Sequence, residues 1–329
     1  MSAVRVAVVG LGMIGGSVAR RLAPDHDVRV WDTDPDTRQA AGRAGLRIAD
    51  DLTDDLAAID VVVVATPLEA MPTVLSGLST GDGPLVTDVG SVKAPVLAAA
   101  RAAGLAGRYV GGHPMAGVER SGFAASDPEL LAGAVWVLTL EKDTDLAGWL
   151  TVAELVTGAG GRVLPTPAAA HDEAQARISG LPHLLATALA VAGGTGGPLA
   201  GALAAGSFRD GTRVAGTRPQ LIAALCEGNR VALARVLDET LAELTRARDA
   251  LAGDGTVLPL ATAGHSARQA RAEATPAVGV TLDRDTPSLR NELLALGAAG
   301  GTLDAVTSHQ LHARRPDVSG GPGTGRLRP

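Results

Sequence analysis

The sequence predicts an α/β domain built around a parallel sheet, followed by an all-α domain. As far as about residue 165, short β-branched runs alternate with stretches rich in alanine and leucine, which is typical of strands wrapped by helices. Continuous apolar runs such as Val61–Val64 suit strands that are covered on both faces. Beyond Pro167, only helical patterns follow as far as Leu251. A chain of 329 residues is long enough for two domains that each bury a core.

The strands of the first domain are predicted where β-branched residues cluster between turn residues. They are Val4–Val9, Val28–Trp31, Val61–Ala65, Leu85–Thr87, Tyr109–Gly111 and Val135–Leu140. Between them, alanine, leucine and arginine dominate the segments predicted as helices, because these residues favour helical backbone. Those segments are Ile14–Leu22, Pro35–Ala44, Leu68–Leu78, Val92–Ala103 and Leu146–Thr157.

The second domain is predicted to be helical throughout. Its helices are expected at Ala168–Arg177, Pro182–Ala192, Leu199–Ala205, Arg218–Gly228 and Asn229–Leu251. Pro165 and Pro167 mark the boundary, because the residue before a proline avoids helical backbone. We therefore expect the first domain at residues 1–165 and the helical domain at residues 166–275.

The C-terminal residues carry a weaker signal. Val278–Leu282 and Ser288–Leu296 suggest a strand and a helix within a small αβ or helical appendage at residues 276–313. Residues 314–329 contain four glycines and three prolines and are predicted to form a disordered tail.

The composition argues against several classes of function. The net charge of −6 disfavours a nucleic-acid partner, which requires a clustered basic surface. The single cysteine, Cys226, rules out a disulfide framework and a cysteine zinc site, and it indicates a reducing compartment, the cytoplasm. The histidines show no metal-ligand spacing, so no metal is predicted. The uncharged stretch from Ile178 to Phe208 is broken by glycines, which favours buried helices over a membrane span.

A glycine motif follows the first strand and opens the first helix. Gly10, Gly12 and Gly15 form a G-x-G-x-x-G pattern, which permits a tight turn, close approach to a pyrophosphate and helix packing. Asp32, at the end of the second strand, is placed to hold a ribose 2′-hydroxyl and to repel a 2′-phosphate. NAD is therefore favoured over NADP on a Rossmann-type domain, although Arg38 keeps dual use open. The predicted cofactor residues are Gly10, Gly12, Met13, Ile14, Gly15, Asp32 and Thr66.

Four further segments concentrate polar residues at the ends of predicted strands or on predicted helices. They are Thr87–Lys93 (TDVGSVK), Gly111–Glu119 (GGHPMAGVE), Ser179–His183 (SGLPH) and Phe208–Arg213 (FRDGTR). With the GLGMIGGS start, these segments resemble the prephenate and arogenate (cyclohexadienyl) dehydrogenases of tyrosine biosynthesis. The resemblance holds in order and spacing from about residue 4 to about residue 230.

The resemblance implies an NAD-dependent oxidative decarboxylation of prephenate, arogenate or both. His113 matches the family's catalytic histidine, and Ser91 matches the serine that hydrogen-bonds this histidine and the substrate hydroxyl. Ser91 could also cap the helix that follows it. Arg213 matches the arginine that holds the substrate carboxylate. His183, one turn after Ser179, matches a histidine on the substrate-facing helix, although a buried structural histidine is the alternative.

Three positions leave alternatives open. Glu119 could pair with the amino group of arogenate as a substrate-binding residue, or it could form a salt bridge with an arginine. Gly180 stands where many family members carry histidine, so the choice between prephenate and arogenate stays open. Lys93 could reach a cofactor phosphate, but a structural use is favoured.

Other functions and the assembly state follow from the same features. A family member recruited to secondary metabolism could act on a prephenate analogue. A β-hydroxyacid-dehydrogenase-like oxidoreductase is disfavoured, because it needs a lysine in its helical domain and this chain has none after Lys142. A non-catalytic NAD-binding module has no need for the polar segments.

The thin helical domain predicts a homodimer that buries Leu181–Ala205 and Val231–Leu244, as the family does.

Overall fold

The computed structural model describes residues 3–49, 56–78, 83–116, 121–272 and 277–317, and its first sheet is entirely parallel. The strands are β1 (Arg5–Val9), β2 (Asp27–Trp31), β3 (Arg47–Ile48), β4 (Val61–Val64), β5 (Leu85–Asp88) and β6 (Tyr109–Val110). The connecting helices are α1 (Met13–Leu22), α2 (Pro35–Arg43), α3 (Met71–Gly77) and α4 (Ala94–Ala102). The strand order β3-β2-β1-β4-β5-β6 confirms the predicted dinucleotide-binding fold.

A second sheet continues the first domain. It begins with β7 (Gly112–Pro114), β8 (Val135–Thr139) and β9 (Arg162–Thr166), and α5 (Leu146–Gly158) connects β8 to β9. β7 is antiparallel to β8, which is parallel to β9. At Gly112, an added Cβ would lie 2.3 Å from the carbonyl oxygen of Asp88, so β7 can pass this close to the end of β5 only with glycine here. His113 therefore lies where the chain crosses from the first sheet to the second.

The second domain is helical, as predicted. Its helices are α6 (Ala168–Gln175), α7 (Leu181–Gly194), α8 (Gly197–Leu203), α9 (Gly206–Thr212), α10 (Pro219–Gly228), α11 (Arg230–Ala252) and α12 (Leu258–Ala272). A π-helical turn, Ala176–Gly180, joins α6 to α7 without a break. The sequence pattern misses α9 and α12, because glycines and polar residues interrupt their apolar periodicity. Within the described ranges, no helix combines the length and the apolar character that a membrane crossing requires.

The C-terminal appendage is an αβ unit that returns to the first domain. It consists of β10 (Ala277–Asp283), α13 (Leu289–Ala298), β11 (Thr302–Val306) and β12 (Gln310–Pro316). β11 pairs with β9, which gives the second sheet the order β10-β12-β11-β9-β8-β7. The prediction of disorder from residue 314 onward is wrong for residues 314–316, which pair with β10 as part of β12. Residues 318–329 lie outside the described ranges.

The C-terminal unit shares the core of the first domain. Leu289 of α13 and Leu303 of β11 are buried in the same apolar cluster as Trp149 of α5. At Gly297, an added Cβ would lie 1.6 Å from the carbonyl oxygen of Pro165, so α13 packs directly on the backbone of β9. The unit is therefore an integral layer of the first domain.

Candidate active site

The glycine turn after β1 has the shape of a phosphate cradle. Gly10 has φ +94°, and an added Cβ there would lie 2.7 Å from the carbonyl oxygen of Ala65. A Cβ on Gly15 would lie 2.0 Å from the carbonyl oxygen of Gly10, which shows how closely α1 packs on the turn. A Cβ on Gly12 would meet no described atom within 4 Å. The turn is therefore tight on its protein side and open where a pyrophosphate would approach the start of α1.

Two polar residues complete the edge of this cradle. Asp32, the first residue of the loop after β2, accepts hydrogen bonds from the backbone N–H groups of Leu11 (2.6 Å) and Asp34 (2.9 Å). Its carboxylate is thereby fixed beside the glycine turn. The buried hydroxyl of Thr66 has no hydrogen-bond partner among the described residues, so its bonding capacity is available to a ligand. The open face at Gly12, the fixed carboxylate and this hydroxyl fit a bound dinucleotide such as NAD.

Removing the charge of Asp32 is expected to weaken the discrimination between the two cofactors. In Asp32→Asn, the Kd for NADP relative to that for NAD should fall at least about tenfold, or about 1.4 kcal/mol, because the 2′-phosphate no longer meets a carboxylate. Arg38, on α2, donates to the carbonyl oxygens of Asp32 and Thr33, so a 2′-phosphate at this edge would meet its charge.

The measurement is calorimetric titration of the protein with each cofactor. Asp34→Asn is the matched control, since Asp34 is an exposed carboxylate two residues away that caps α2 and asparagine caps equally well. An unchanged Kd ratio in Asp32→Asn would show that Asp32 does not select the cofactor.

A buried ion pair fixes the loop between β5 and α4. The Nζ atom of Lys93 lies 2.7 and 2.5 Å from the two carboxylate oxygens of Asp88, and it also donates to the carbonyl oxygen of Gly112 (2.6 Å). Neither side chain is exposed. Asp88 also accepts from the N–H groups of Gly90 and Gly112 and from the hydroxyl of Tyr109. Lys93 is therefore structural, as the sequence favoured, and it anchors the backbone next to His113.

Burial is the largest cause of the pKa shifts of Lys93 and Tyr109. It lowers the pKa of Lys93, although the Asp88 carboxylate opposes the shift. It also raises the pKa of Tyr109 well above its usual range, with Asp88 acting in the same direction. Both effects follow from the cost of holding a charge away from water.

His113 is half-buried and is joined to a buried histidine, His171. Its Nδ1 atom lies 2.9 Å from Nε2 of His171 on α6, and Nδ1 of His171 lies 2.7 Å from Oδ1 of Asp172. Burial is the main reason that the pKa of His113 lies well below its usual 6.5, and the Lys93 cation and His171 add to the shift. His113 is therefore a neutral imidazole at pH 7, which can accept a hydrogen bond from a hydroxyl.

Ser91 neither hydrogen-bonds His113 nor caps the helix that follows it in the described part of the chain. The described part of the chain contains no hydrogen bond between Ser91 and His113, whose Nδ1 is occupied by His171. Ser91 does not cap α4 either, because that helix begins at Ala94. The cap comes from Asp172, whose carboxylate accepts from the N–H groups of Lys93 (2.7 Å) and Ala94 (2.8 Å). Ser91 stays a candidate for contact with substrate, half-buried in the loop two residues before the helix-capping position.

The predicted substrate residues lie further along the helical domain. His183 on α7 donates from Nδ1 to the carbonyl oxygen of Ser179 (2.8 Å). Its Nε2 atom takes no part in this hydrogen bond. Arg213 is exposed on a 3₁₀ turn, Arg213–Gly216, that packs against α7. Glu119 lies outside the described residues. The structure thus brings the segments of His183 and Arg213 together and leaves the role of Glu119 a prediction.

Gly180 has a packing reason to be glycine. An added Cβ would lie 3.0 Å from Cδ1 of Leu233 on α11. A side chain at this position would therefore point into the contact between the π-helical turn and α11. Glycine at this position thus allows the close contact with Leu233.

The sequence reasoning missed His171, Asp172 and Asn229. Asn229 is buried between α10 and α11, and its side-chain amide donates to the carbonyl oxygen of Asp172 (2.6 Å). One available signal was a histidine and an aspartate next to each other at the start of the first helix of the second domain. Because His171 lies 58 positions from His113, their contact depends on how the two domains pack, which a local pattern does not carry.

Comparison with known proteins extends over both domains. The family description "Prephenate dehydrogenase, nucleotide-binding domain" matches residues 16–165, and "Prephenate dehydrogenase, dimerization domain" matches residues 167–256. The cyclohexadienyl dehydrogenase of Zymomonas mobilis is 32% identical over 271 residues, which cover 77% of this chain and 90% of that protein.

Two solved structures have the same arrangement. A candidate prephenate dehydrogenase from Corynebacterium glutamicum has a TM-score of 0.84 and 38% identity, with coverage of 91% of this chain and 98% of that chain. The arogenate dehydrogenase of Synechocystis has a TM-score of 0.72 and 26% identity, with coverage of 82% and 99%.

Proposed function

The chain belongs to the prephenate dehydrogenase family, and from this premise we propose that it catalyses the NAD-dependent oxidative decarboxylation of prephenate, arogenate or both. The observation that carries the proposal is His113, a neutral, half-buried imidazole at the junction between the nucleotide-binding sheet and the helical domain. The chemistry requires a neutral base at the substrate hydroxyl, beside the cofactor, and we assign this role to His113.

The residues divide the reaction between them. When bound along Gly10–Gly15, Asp32 and Thr66, NAD supplies the nicotinamide that takes a hydride from C4 of the substrate ring. Nε2 of His113 accepts the proton of the 4-hydroxyl as that carbon becomes a carbonyl. The ring carboxylate then leaves as carbon dioxide, and the proton returns to the oxygen of the aromatic product. Ser91 is proposed to hold the same hydroxyl.

Binding of the substrate carboxylate falls to the helical domain. Arg213 offers a planar guanidinium that can bind a carboxylate through two hydrogen bonds. His183 and Ser179 are proposed to contact the substrate from α7 and from the turn before it. Glu119 is proposed to discriminate the side chain of arogenate from that of prephenate, since its carboxylate would attract an ammonium group.

The proposal is tested by initial rates of NADH formation. Prephenate and arogenate are offered separately to the purified protein, each with NAD and with NADP. We expect turnover of at least one substrate, with NAD preferred. Failure to turn over either substrate, in protein that binds NAD in the calorimeter, would contradict the proposed activity and favour a family member that acts on a prephenate analogue.

The same premise supports a homodimer formed through the helical domain. Large apolar side chains are exposed along Leu181–Ala205 and Val231–Leu244, with Leu203 72% and Val231 86% exposed in the single chain. Such a surface is costly in water and is typical of an interface. The chain's own buried cluster in this domain is small, being centred on Ala176, Leu233 and Val236. We place this enzyme in the cytoplasm, in keeping with its single free cysteine.

Light scattering measures this assembly directly. The parent protein should have twice the chain mass of 33.0 kDa. Leu203→Arg should shift the protein toward the monomer, because the charge would be buried in the interface. Leu258→Arg, on the equally exposed α12 beyond the matched dimerisation segment, is the control that should stay dimeric. A monomeric parent protein would refute the proposal.

A further inference from the structure

The contacts of His113 continue through two further side chains. Its ring meets that of His171 edge-on, with centroids 5.1 Å apart and an angle of 77° between the ring planes. The hydrogen bonds run from His113 Nδ1 to His171 Nε2, and from His171 Nδ1 to Asp172 Oδ1. His171 and Asp172 are only 4% and 5% exposed, so water does not compete for these bonds.

The direction of the protons follows from Asp172. A carboxylate only accepts hydrogen bonds, so Nδ1 of His171 must carry a proton. A neutral His171 then has a lone pair on Nε2, which accepts a hydrogen bond from Nδ1–H of His113. With its proton on Nδ1, the neutral His113 has its lone pair on Nε2.

We propose that His171 and Asp172 are positioning residues that hold His113 in the Nδ1–H tautomer, with Nε2 free to take the substrate's hydroxyl proton. The inference rests on the proposed function only in assigning that proton to substrate. The opposite tautomer, with Nε2–H, would present a donor to the hydroxyl and could not accept its proton.

The hydrogen bonds of Asp172 fix the position of its carboxyl group. Its carboxylate accepts from two backbone N–H groups at the start of α4, and the positive end of that helix favours an anion. Its backbone carbonyl accepts from the side chain of Asn229, which ties α6 to α11. Asp172 is therefore fixed as an acceptor from both domains.

His171 and Asp172 also stabilise His113 after it has accepted the hydroxyl proton of the substrate. The O–H bond of the substrate breaks and an N–H bond forms at Nε2, which leaves His113 as an imidazolium. Its Nδ1–H bond to His171 then becomes charge-assisted, and Asp172 lies one ring further on as a compensating anion. The other charges that face this group are Lys93, which disfavours the imidazolium, and Asp88, which neutralises Lys93.

A purely structural role is the alternative, since Asp172 also caps α4. Asp172→Asn keeps one oxygen that can accept from the start of α4 and loses the second of these hydrogen bonds, and it introduces an NH2 group that can donate where the carboxylate only accepted. His171 would then turn its proton toward His113 and reverse the tautomer. We expect kcat to fall at least about a hundredfold, with KM and the Kd for NAD within about twofold of the parent values.

Two substitutions of His171 separate its two hydrogen bonds. Glutamine places its amide at the position of Nε2 and can still accept from His113, whereas asparagine reaches only the position of Nδ1, next to Asp172. His171→Gln should therefore retain at least about tenfold more kcat than His171→Asn. Equal losses in the two variants would assign His171 a packing role and overturn the proposal.

The tautomer itself is read by nitrogen NMR of protein labelled in its seven histidines, with the His113 signals assigned by comparison with His113→Asn. The parent protein should show His113 protonated on Nδ1, and Asp172→Asn should show it protonated on Nε2. A parent protein with Nε2–H would refute the inference whether or not the enzyme turns over either substrate. Conversely, Nδ1–H in a protein inactive toward both substrates would refute the proposed function and leave the inference intact.

Discussion

Lys93→Met is expected to lower the free energy of unfolding of the first domain by about 3–5 kcal/mol. The substitution keeps an unbranched side chain, one atom shorter, but leaves the carboxylate of Asp88 charged and fully buried. The hydrogen bonds from Gly90, Gly112 and Tyr109 remain, but they do not replace a full positive charge at 2.5–2.7 Å. The loss is therefore that of an uncompensated buried charge.

Chemical denaturation followed by tryptophan fluorescence measures this effect, because all three tryptophans lie in the first domain. Lys142→Met is the matched control. Lys142 is the other lysine of the chain and is exposed, so its replacement should change the free energy by less than about 0.5 kcal/mol. Adding Asp88→Asn to Lys93→Met should recover part of the loss, since the unpaired charge is removed. A Lys93→Met protein within about 1 kcal/mol of the parent would contradict this account of the pair.

His113→Asn is expected to reduce kcat by about 10²–10⁴-fold, because the variant has no base for the substrate hydroxyl. The Kd for NAD should stay the same, since the glycine turn and Asp32 lie on other elements. His309→Asn, at an exposed position between β11 and β12, is the control that should leave kcat unchanged. Equal activity of the parent and the His113 variant would remove His113 from the mechanism.

The pH dependence gives an independent check on the same residue. His113 must be neutral to accept a proton, and burial holds its pKa well below 6.5. The value of kcat/KM should therefore stay constant from pH 7 down through 6.5 and fall only at more acidic pH, as the free enzyme becomes protonated. A midpoint above pH 6.5 would show that the imidazole is not desolvated in solution.

Patterns along the chain predicted the parts of this molecule that depend on neighbours in sequence. The glycine turn, Asp32 and the buried strand Val61–Val64 each carry a local signature, and the structure places them in a doubly wound sheet. The resemblance to a known family supplied His113 and its setting. The two-residue strand β3 was missed because it is too short for any periodicity.

The features that sequence did not predict depend on distant contacts. Asp88 and Lys93 are five positions apart, but only the burial of their loop under β7 turns them into an ion pair. The capping of α4 by Asp172 joins residues 78 and 79 positions apart in different domains. The docking of β11 on β9 adds a C-terminal unit to a sheet that otherwise ends at residue 166. None of these contacts produces a periodic pattern of residues in the sequence from which it could have been predicted.

The π-helical turn between α6 and α7 has a consequence for the orientation of the two helices' side chains. An α-helix rotates by about 100° per residue, so His171 and His183, twelve positions apart, would point about 120° away from each other on a regular helix. A π-helical turn accommodates one additional residue, which reduces the effective separation to eleven and the angle to about 20°. The extra residue therefore rotates α7 relative to α6. As a result, the continuous helix from Ala168 to Gly194 carries both imidazoles on the same side.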